Sequence, residues 1–269
     1  GGDSLRGLIA TLALEDRLGR HLRLRDLFER PTVRAMAARL AGESDQARAP
    51  ATEGRDDPLD GVAERMARAL GDWPGEPVVG GGLLRSMGRR PAGRHVFWCC
   101  QEAREVRQLA AALGDAATLT AMRSGHLVMD YRPEVVDALA ERYAAEIDLF
   151  RPWGPVTLGG NCQGGTVALA VARALRRRGR SVARTVILDL AEFEAPVCPV
   201  TLVFGQDSHL NPQCSTGPVP TIRWEERCPS GFDLAYIPGA HGEFFRDGNV
   251  ECLAQVIREA LGSGAAVRR

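Results

Sequence analysis

Cysteine, histidine and aspartate on one chain can carry out acyl transfer when the thiol is held clear of the fold and an imidazole reaches it. The run Val156-Thr157-Leu158-Gly159-Gly160-Asn161-Cys162-Gln163-Gly164-Gly165, followed by Thr166-Val167-Ala168-Leu169-Ala170, reads as an apolar strand, a glycine-dense turn and a helix. That is the setting of a nucleophile elbow. Gly160 and Gly164 flank Cys162 in the sense G-x-C-x-G, because a side chain at either would collide with backbone when the turn is pulled tight. A helix N-terminus beneath the thiol would favour thiolate, against a reference pKa of about 8.5.

Five histidines are available as its base: His21, His95, His126, His209 and His241. His241 lies in Ile237-Pro238-Gly239-Ala240-His241-Gly242, a late loop before the last amphipathic run, in keeping with the chain order nucleophile, acid, histidine. His21 falls in a separate first segment. His95 opens a strand and His126 lies in a mid-chain loop, where surface or core roles are the simpler reading, and His209 is a candidate for the rim of the site. Two aspartates end strand-like runs and could hold the imidazole in its working tautomer: Asp189 closes Val186-Ile187-Leu188-Asp189, and Asp207 follows Val203-Phe204-Gly205-Gln206. For an oxyanion, the backbone N–H of Gln163 is the expected donor. Gln101, ending His95-Val96-Phe97-Trp98-Cys99-Cys100-Gln101, is the position for a second. Cys99 and Cys100 read as small buried residues.

These residues need a scaffold. Strand-like runs at Val78 to Met87, His95 to Cys100, Val156 to Gly159, Val182 to Asp189 and Val197 to Phe204 alternate with amphipathic helical runs at Val135 to Phe150, Thr166 to Arg178 and Val250 to Leu261. Such alternation predicts an α/β fold, a mostly parallel sheet with helices on both faces and reactive residues at strand C-terminal ends. Ala41 to Pro58, rich in Ala, Gly, Ser, Asp and Pro, reads as a flexible linker. Before it, Leu5, Leu8, Ile9 and Leu12, then Val33, Met36, Ala37 and Leu40, recur at helical spacing, so the first segment is all-helical.

Composition narrows the function classes. Of 269 residues, 45% are apolar and 25% charged, which excludes disordered and collagen-like chains. Lys plus Arg and Asp plus Glu both number 34, so no overall field draws the molecule to nucleic acid or an acidic membrane surface. No apolar run approaches the ~20 residues of a membrane helix and no signal peptide is visible, which makes a cytoplasmic location the default. Seven cysteines, with no CxxC pair and no zinc-type His/Cys spacing, point to reduced thiols and to no metal site.

In the first segment, Gly1-Gly2-Asp3-Ser4-Leu5 places a serine ahead of an apolar helix, where backbone N–H groups face an anion. With Leu22-Arg23-Leu24-Arg25-Asp26-Leu27-Phe28-Glu29-Arg30-Pro31-Thr32-Val33 and Met36-Ala37-Ala38-Arg39-Leu40, the segment 1–42 resembles the second half of a peptidyl carrier protein. The resemblance implies 4′-phosphopantetheine attached at Ser4 and a docking surface formed by Leu5 and the helix after it. Such carriers have another helix ahead of the serine, without which so small a bundle is not expected to fold alone.

Residues 77–261, including Met122-Arg123-Ser124 and Gly239-Ala240-His241-Gly242-Glu243-Phe244-Phe245, resemble type I thioesterase domains at the ends of nonribosomal peptide synthetases or hybrid polyketide synthases. The resemblance implies an α/β-hydrolase fold, a division into carrier part (1–42), linker (43–58) and thioesterase domain (59–269), and Asp189 rather than Asp207 as the acid. It also implies partners: upstream synthetase modules, the carrier domain docking on the thioesterase, and a peptidyl or acyl thioester, with no nucleic acid and no membrane.

Most of these domains use serine. With Cys162 the captured acyl group stays a thioester and so remains an activated donor, which points to cyclising release, with a strained β-lactam or β-lactone among the products expected of cysteine variants. Hydrolysis to a linear acid is the alternative outcome. Relatives also carry lid helices after the strand ending near Asp189, whereas only Leu190 to Val197 intervene here, so either the lid is nearly deleted, leaving an open pocket, or the given sequence omits part of it. The run Arg176-Arg177-Arg178-Gly179-Arg180 reads as a solvated helix end or a phosphate contact. Two competing readings are a carrier-binding module without catalysis, which an intact His241 disfavours, and a free-standing dienelactone-type hydrolase, which the carrier segment disfavours.

Overall fold

The computed structural model describes residues 61–88, 93–129, 131–190, 192–213, 223–246 and 248–262, with 17, 32–34, 36 and 37 of the first segment. The chain divides into two units, Gly1–Asp57 and Pro58–Arg269. In the first, Met36 is buried and its N–H donates to the Thr32 carbonyl at 3.0 Å, a helical bond. Ser4, Leu5, His21 and the segment 43–58 lie outside the described residues.

The second unit runs α1 (Val62–Ala69), β1 (Glu76–Pro77), β2 (Arg85–Ser86), β3 (His95–Cys100), α2 (Ala103–Leu113), β4 (Thr118–Arg123), α3 (Pro133–Phe150), β5 (Val156–Asn161), α4 (Gln163–Arg177), β6 (Val182–Leu188), β7 (Val200–Gly205), α5 (Trp224–Arg227), β8 (Phe232–Ile237) and α6 (Asn249–Gly262). Its eight-stranded sheet has the order β1-β2-β4-β3-β5-β6-β7-β8. From β4 to β8 every pairing is parallel, and only β1 and β2 join antiparallel at one edge. Strands β3, β5 and β7 are buried along their whole length, which is why they read as unbroken apolar runs in the sequence. Helix α3 packs on α4 and α2 on α6, and with the sheet they enclose a core in which Trp98, Tyr143 and Phe97 are fully buried. Side chains of this size each contribute roughly 1.5–3 kcal/mol on burial. This is the α/β-hydrolase fold.

One strand expectation is corrected. Val78 to Met87 is not continuous, because Gly80, Gly81 and Gly82 interrupt it and the next amides are taken by a side chain. Glu146 of α3, buried at 2% exposure, accepts from Leu83 N (2.8 and 3.0 Å) and Leu84 N (3.0 Å). A strand cannot pair through amides already committed to a carboxylate. Strands β1, β4 and β8 and helices α1, α2 and α5 fall outside the runs that the sequence pattern locates. The basic run after α4 is structural: Arg177 pairs with Glu141, and Arg178 and Arg180 with Asp148, all on α3.

Candidate active site

Cys162 sits between the C-terminal end of β5 and the first turn of α4 with φ 49 and ψ −124, a conformation that costs a residue with a Cβ ~1–3 kcal/mol. Glycines make the turn possible. A Cβ on Gly160 would lie 2.3 Å from the Gly164 carbonyl oxygen, and one on Gly164 would lie 2.2 Å from the Cys99 carbonyl oxygen. The Cys162 N–H continues the sheet by donating to Leu188 O at 3.0 Å, and its carbonyl accepts from Gly165 N at 2.8 Å. The thiol thus stands half-buried at the end of the helix. Gln163, as the first residue of α4, has an amide with no acceptor within the helix.

The imidazole comes from the loop after β8. There the Glu243 N–H closes a turn on Ala240 O at 3.0 Å, and Asn249 Nδ2 donates to Glu243 O at 3.0 Å, fixing His241 between them. His241 Nδ1 lies 2.5 Å from Asp189 Oδ2, and its ring also interacts with Cys162. These interactions, Asp189 first and Cys162 second, push the His241 pKa up to about 10, against the opposing effect of burial. Asp189 follows β6, is 1% exposed and has φ 54. Among the described residues only Leu127, Cys162 and Asp189 are non-glycines with positive φ, so two of the three strained positions face His241.

The aspartate is itself held. Ser208 Oγ donates to Asp189 Oδ2 at 2.8 Å, and Gly205 N donates to Oδ1 at 3.4 Å. Asp207 is exposed and its N–H donates to Gly239 O at 3.2 Å, so its main chain braces the histidine loop while Asp189 contacts the ring. Sequence reasoning passed over the fully buried Ser208; its place beside Asp207, in the loop after β7, was the signal available. His209, exposed on the same loop, stands with its ring centroid 5.5 Å from that of His241. His95 is in the core, with Nε2 at 2.8 Å from Thr120 Oγ1, and Cys99 and Cys100 are fully buried. His126 is neither core nor plain surface: it follows β4 at the reactive edge beside the Gln163 side chain, and burial lowers its pKa. Gln101 is also at this edge, but its N–H donates to Glu105 Oε2 at 2.7 Å. Burial raises the Glu105 pKa to about 7, with the Gln101 amide opposing. Between Asp189 and β7 the described residues hold no helix.

The fold is that of the α/β-hydrolases, with Cys162 in the strained turn between β5 and α4. Residues 103–197 match the family model of the thioesterase domain, and residues 1–40, ahead of them, match that of the phosphopantetheine attachment site. Among solved structures it is similar to the NocB thioesterase domain from the nocardicin cluster, at 19% identity and a TM-score of 0.53, covering 67% of this chain and 99% of that one. It is also similar to AB3403, a four-domain nonribosomal peptide synthetase bound to AMP and glycine (17%, TM-score 0.53, 96% of this chain and 24% of that), and to the Vlm2 thioesterase domain (13%, TM-score 0.50, 65% and 96%). No curated protein matches the chain in sequence.

Proposed function

We propose that the chain is the terminal thioesterase of a nonribosomal peptide synthetase, which takes a peptidyl chain from the carrier onto Cys162 and releases it by intramolecular cyclisation. The observation that carries this reading is the hydrogen bond between Asp189 and His241, whose ring interacts with Cys162 at a strained elbow. Ser4 is the proposed attachment point of phosphopantetheine, which when bound presents the acyl group as a thioester. Upstream modules deliver the chain, and the carrier docks on the thioesterase unit.

The Cys162 thiol passes its proton to the His241 imidazole, whose charged form Asp189 favours. The thiolate attacks the thioester carbon, the C=O electron pair moves onto oxygen, and the Gln163 N–H at the head of α4 donates to it. On collapse the pair returns, the bond to the carrier sulfur breaks, and the leaving thiolate takes the His241 proton. The neutral imidazole then removes a proton from an amine or hydroxyl of the bound chain as that group attacks the acyl-cysteine, and Cys162 departs as thiolate. Asp189 stabilises the charged ring at both stages and fixes its tautomer. An acyl-cysteine is a better donor than an acyl-serine, which favours closure of a strained ring such as a β-lactam or β-lactone. Hydrolysis is the second reading, supported by the absence of a helix among the described residues between Asp189 and β7 and by the partial exposure of Cys162.

The test is the mass of the product released from a peptidyl pantetheine thioester carrying an internal nucleophile. Cyclisation gives a product lighter by one water than the linear acid. In Cys162→Ser the acyl-enzyme becomes an oxoester, and the product ratio is expected to move toward the acid. Linear acid alone from the parent enzyme would overturn cyclisation.

A further inference from the structure

Strands β3 and β5 are parallel neighbours with Cys99 opposite Gly160, so two residues further on Gln101 comes level with Cys162. In this fold a main-chain N–H from the end of that strand region completes the oxyanion hole. Here the amide is committed. Glu105 Oε2 accepts it at 2.7 Å, also receives Glu102 N at 3.4 Å, and through Oε1 receives Asn161 Nδ2 at 3.2 Å. A carboxylate bound this closely competes with an incoming oxyanion for the same N–H and repels it. The side chain of Gln101 remains. Its Nε2 lies 3.4 Å from the carbonyl oxygen of Asn161, the residue before the nucleophile. That contact is at the long limit for a hydrogen bond, and the second N–H of the amide has no partner among the described residues.

We infer that the Gln101 side-chain amide is the second oxyanion donor, and that Glu105 is the positioning residue that pins the Gln101 backbone so that the amide faces Cys162. This deepens the acyl-transfer reading and rests on it. As Cys162 Sγ bonds to the acyl carbon, the displaced C=O electron pair is received by Gln163 N–H and Gln101 Nε2–H together. It returns to carbon when the bond to the carrier sulfur breaks, with the proton passing from His241 to that sulfur. Glu105 touches no reacting atom.

The experiment compares two reactions of Cys162 in the parent chain and in Gln101→Met, Glu105→Gln and Glu105→Ala. One is single-turnover acylation by an acyl pantetheine thioester, which passes through an oxyanion. The other is alkylation by iodoacetamide, a displacement at saturated carbon that forms none. Gln101→Met, nearly isosteric but without a donor, is expected to slow acylation by about 10²-fold while alkylating at the parent rate. Glu105→Ala should follow it, and Glu105→Gln, which keeps an acceptor for the Gln101 amide, should restore most of the rate. Acylation of Gln101→Met at the parent rate, or an equal fall in both reactions, overturns the assignment. A parent chain that alkylates at Cys162 but never acylates there overturns the nucleophile reading itself, and the assignment with it.

Discussion

A thiol and an imidazole in contact share a proton, and the partner behind the imidazole decides where it rests. At His241 that partner is Asp189, whose carboxylate is the largest cause of a pKa near 10, with Cys162 next. The raised value means that the charged ring is favoured in the folded protein. The stabilisation is complete below the ring's ordinary value of 6.5 and is lost as pH climbs through about 10. Replacing Asp189 by Asn should therefore bring the alkaline limb of the acylation rate profile down from about 10 toward 6.5 and lower the rate by on the order of 10³-fold. Ser208 acts one bond further out. Loss of its 2.8 Å hydrogen bond to a buried carboxylate in Ser208→Ala should cost about 1.5–3 kcal/mol of positioning, read as a kcat roughly tenfold or more below the parent with KM unchanged. A Ser208→Ala enzyme with parental kcat would remove the hydroxyl from the account. Cys162 and His241 were legible in the sequence because each sits in a motif with its own backbone logic. Ser208 and Glu105 were not, since a buried hydroxyl or carboxylate is defined by what folds over it.

The elements explain why motifs were readable and partners were not. Central strands β3, β5, β6 and β7 and helices α3, α4 and α6 carry long apolar or amphipathic patterns, and the spacing located them. Strand β8 is an edge strand exposed along much of its length, so its Phe232–Ile237 run lacks a clean alternation. Strand β4, Thr118–Arg123, follows closely on an alanine-rich helix and mixes threonine with apolar residues, so its run blends into that of the helix. Helix α2 opens on Glu102 with Glu105 completing a reciprocal cap, whereas the familiar start signal is Ser, Thr, Asp or Asn. The elbow is the most demanding local feature. Gly160→Ala or Gly164→Ala places a Cβ within 2.3 Å of backbone oxygen, which no side-chain rotation relieves. Each change should cost about 3 kcal/mol in urea unfolding and move the thiol off its position. A variant with parental stability and acylation rate would show that the turn tolerates a side chain.

At the scale of the whole molecule, charge balance leaves recognition to local surfaces. The arginines at the end of α4, read from the sequence as a solvated helix end or a phosphate contact, tie that end to α3. The core also contains a titrating liability. His95 is 4% exposed, and burial followed by repulsion from Arg151 holds its pKa down at about 3. A lowered histidine pKa means that the unfolded chain binds the extra proton. Stability is then complete above the ordinary 6.5 and falls as pH drops toward 3. Urea midpoints taken at neutral pH and near pH 4 should show a smaller acid loss in His95→Phe than in the parent, even though the variant forfeits the Thr120 contact. An acid loss of the same size in both would clear His95. The sequence changes pattern across residues 41–58; the phosphopantetheine attachment model matches residues 1–40 and the thioesterase model residues 103–197.

The central claim is that Cys162 carries the acyl group, and intact-protein mass spectrometry after mixing with an acyl pantetheine thioester tests it directly. The account predicts that the parent chain gains the mass of one acyl group, that digestion places it on the peptide containing Cys162, and that Cys162→Ala gains none. Equal acylation of both proteins, or turnover by the parent with no adduct at Cys162 under rapid quench, would contradict it.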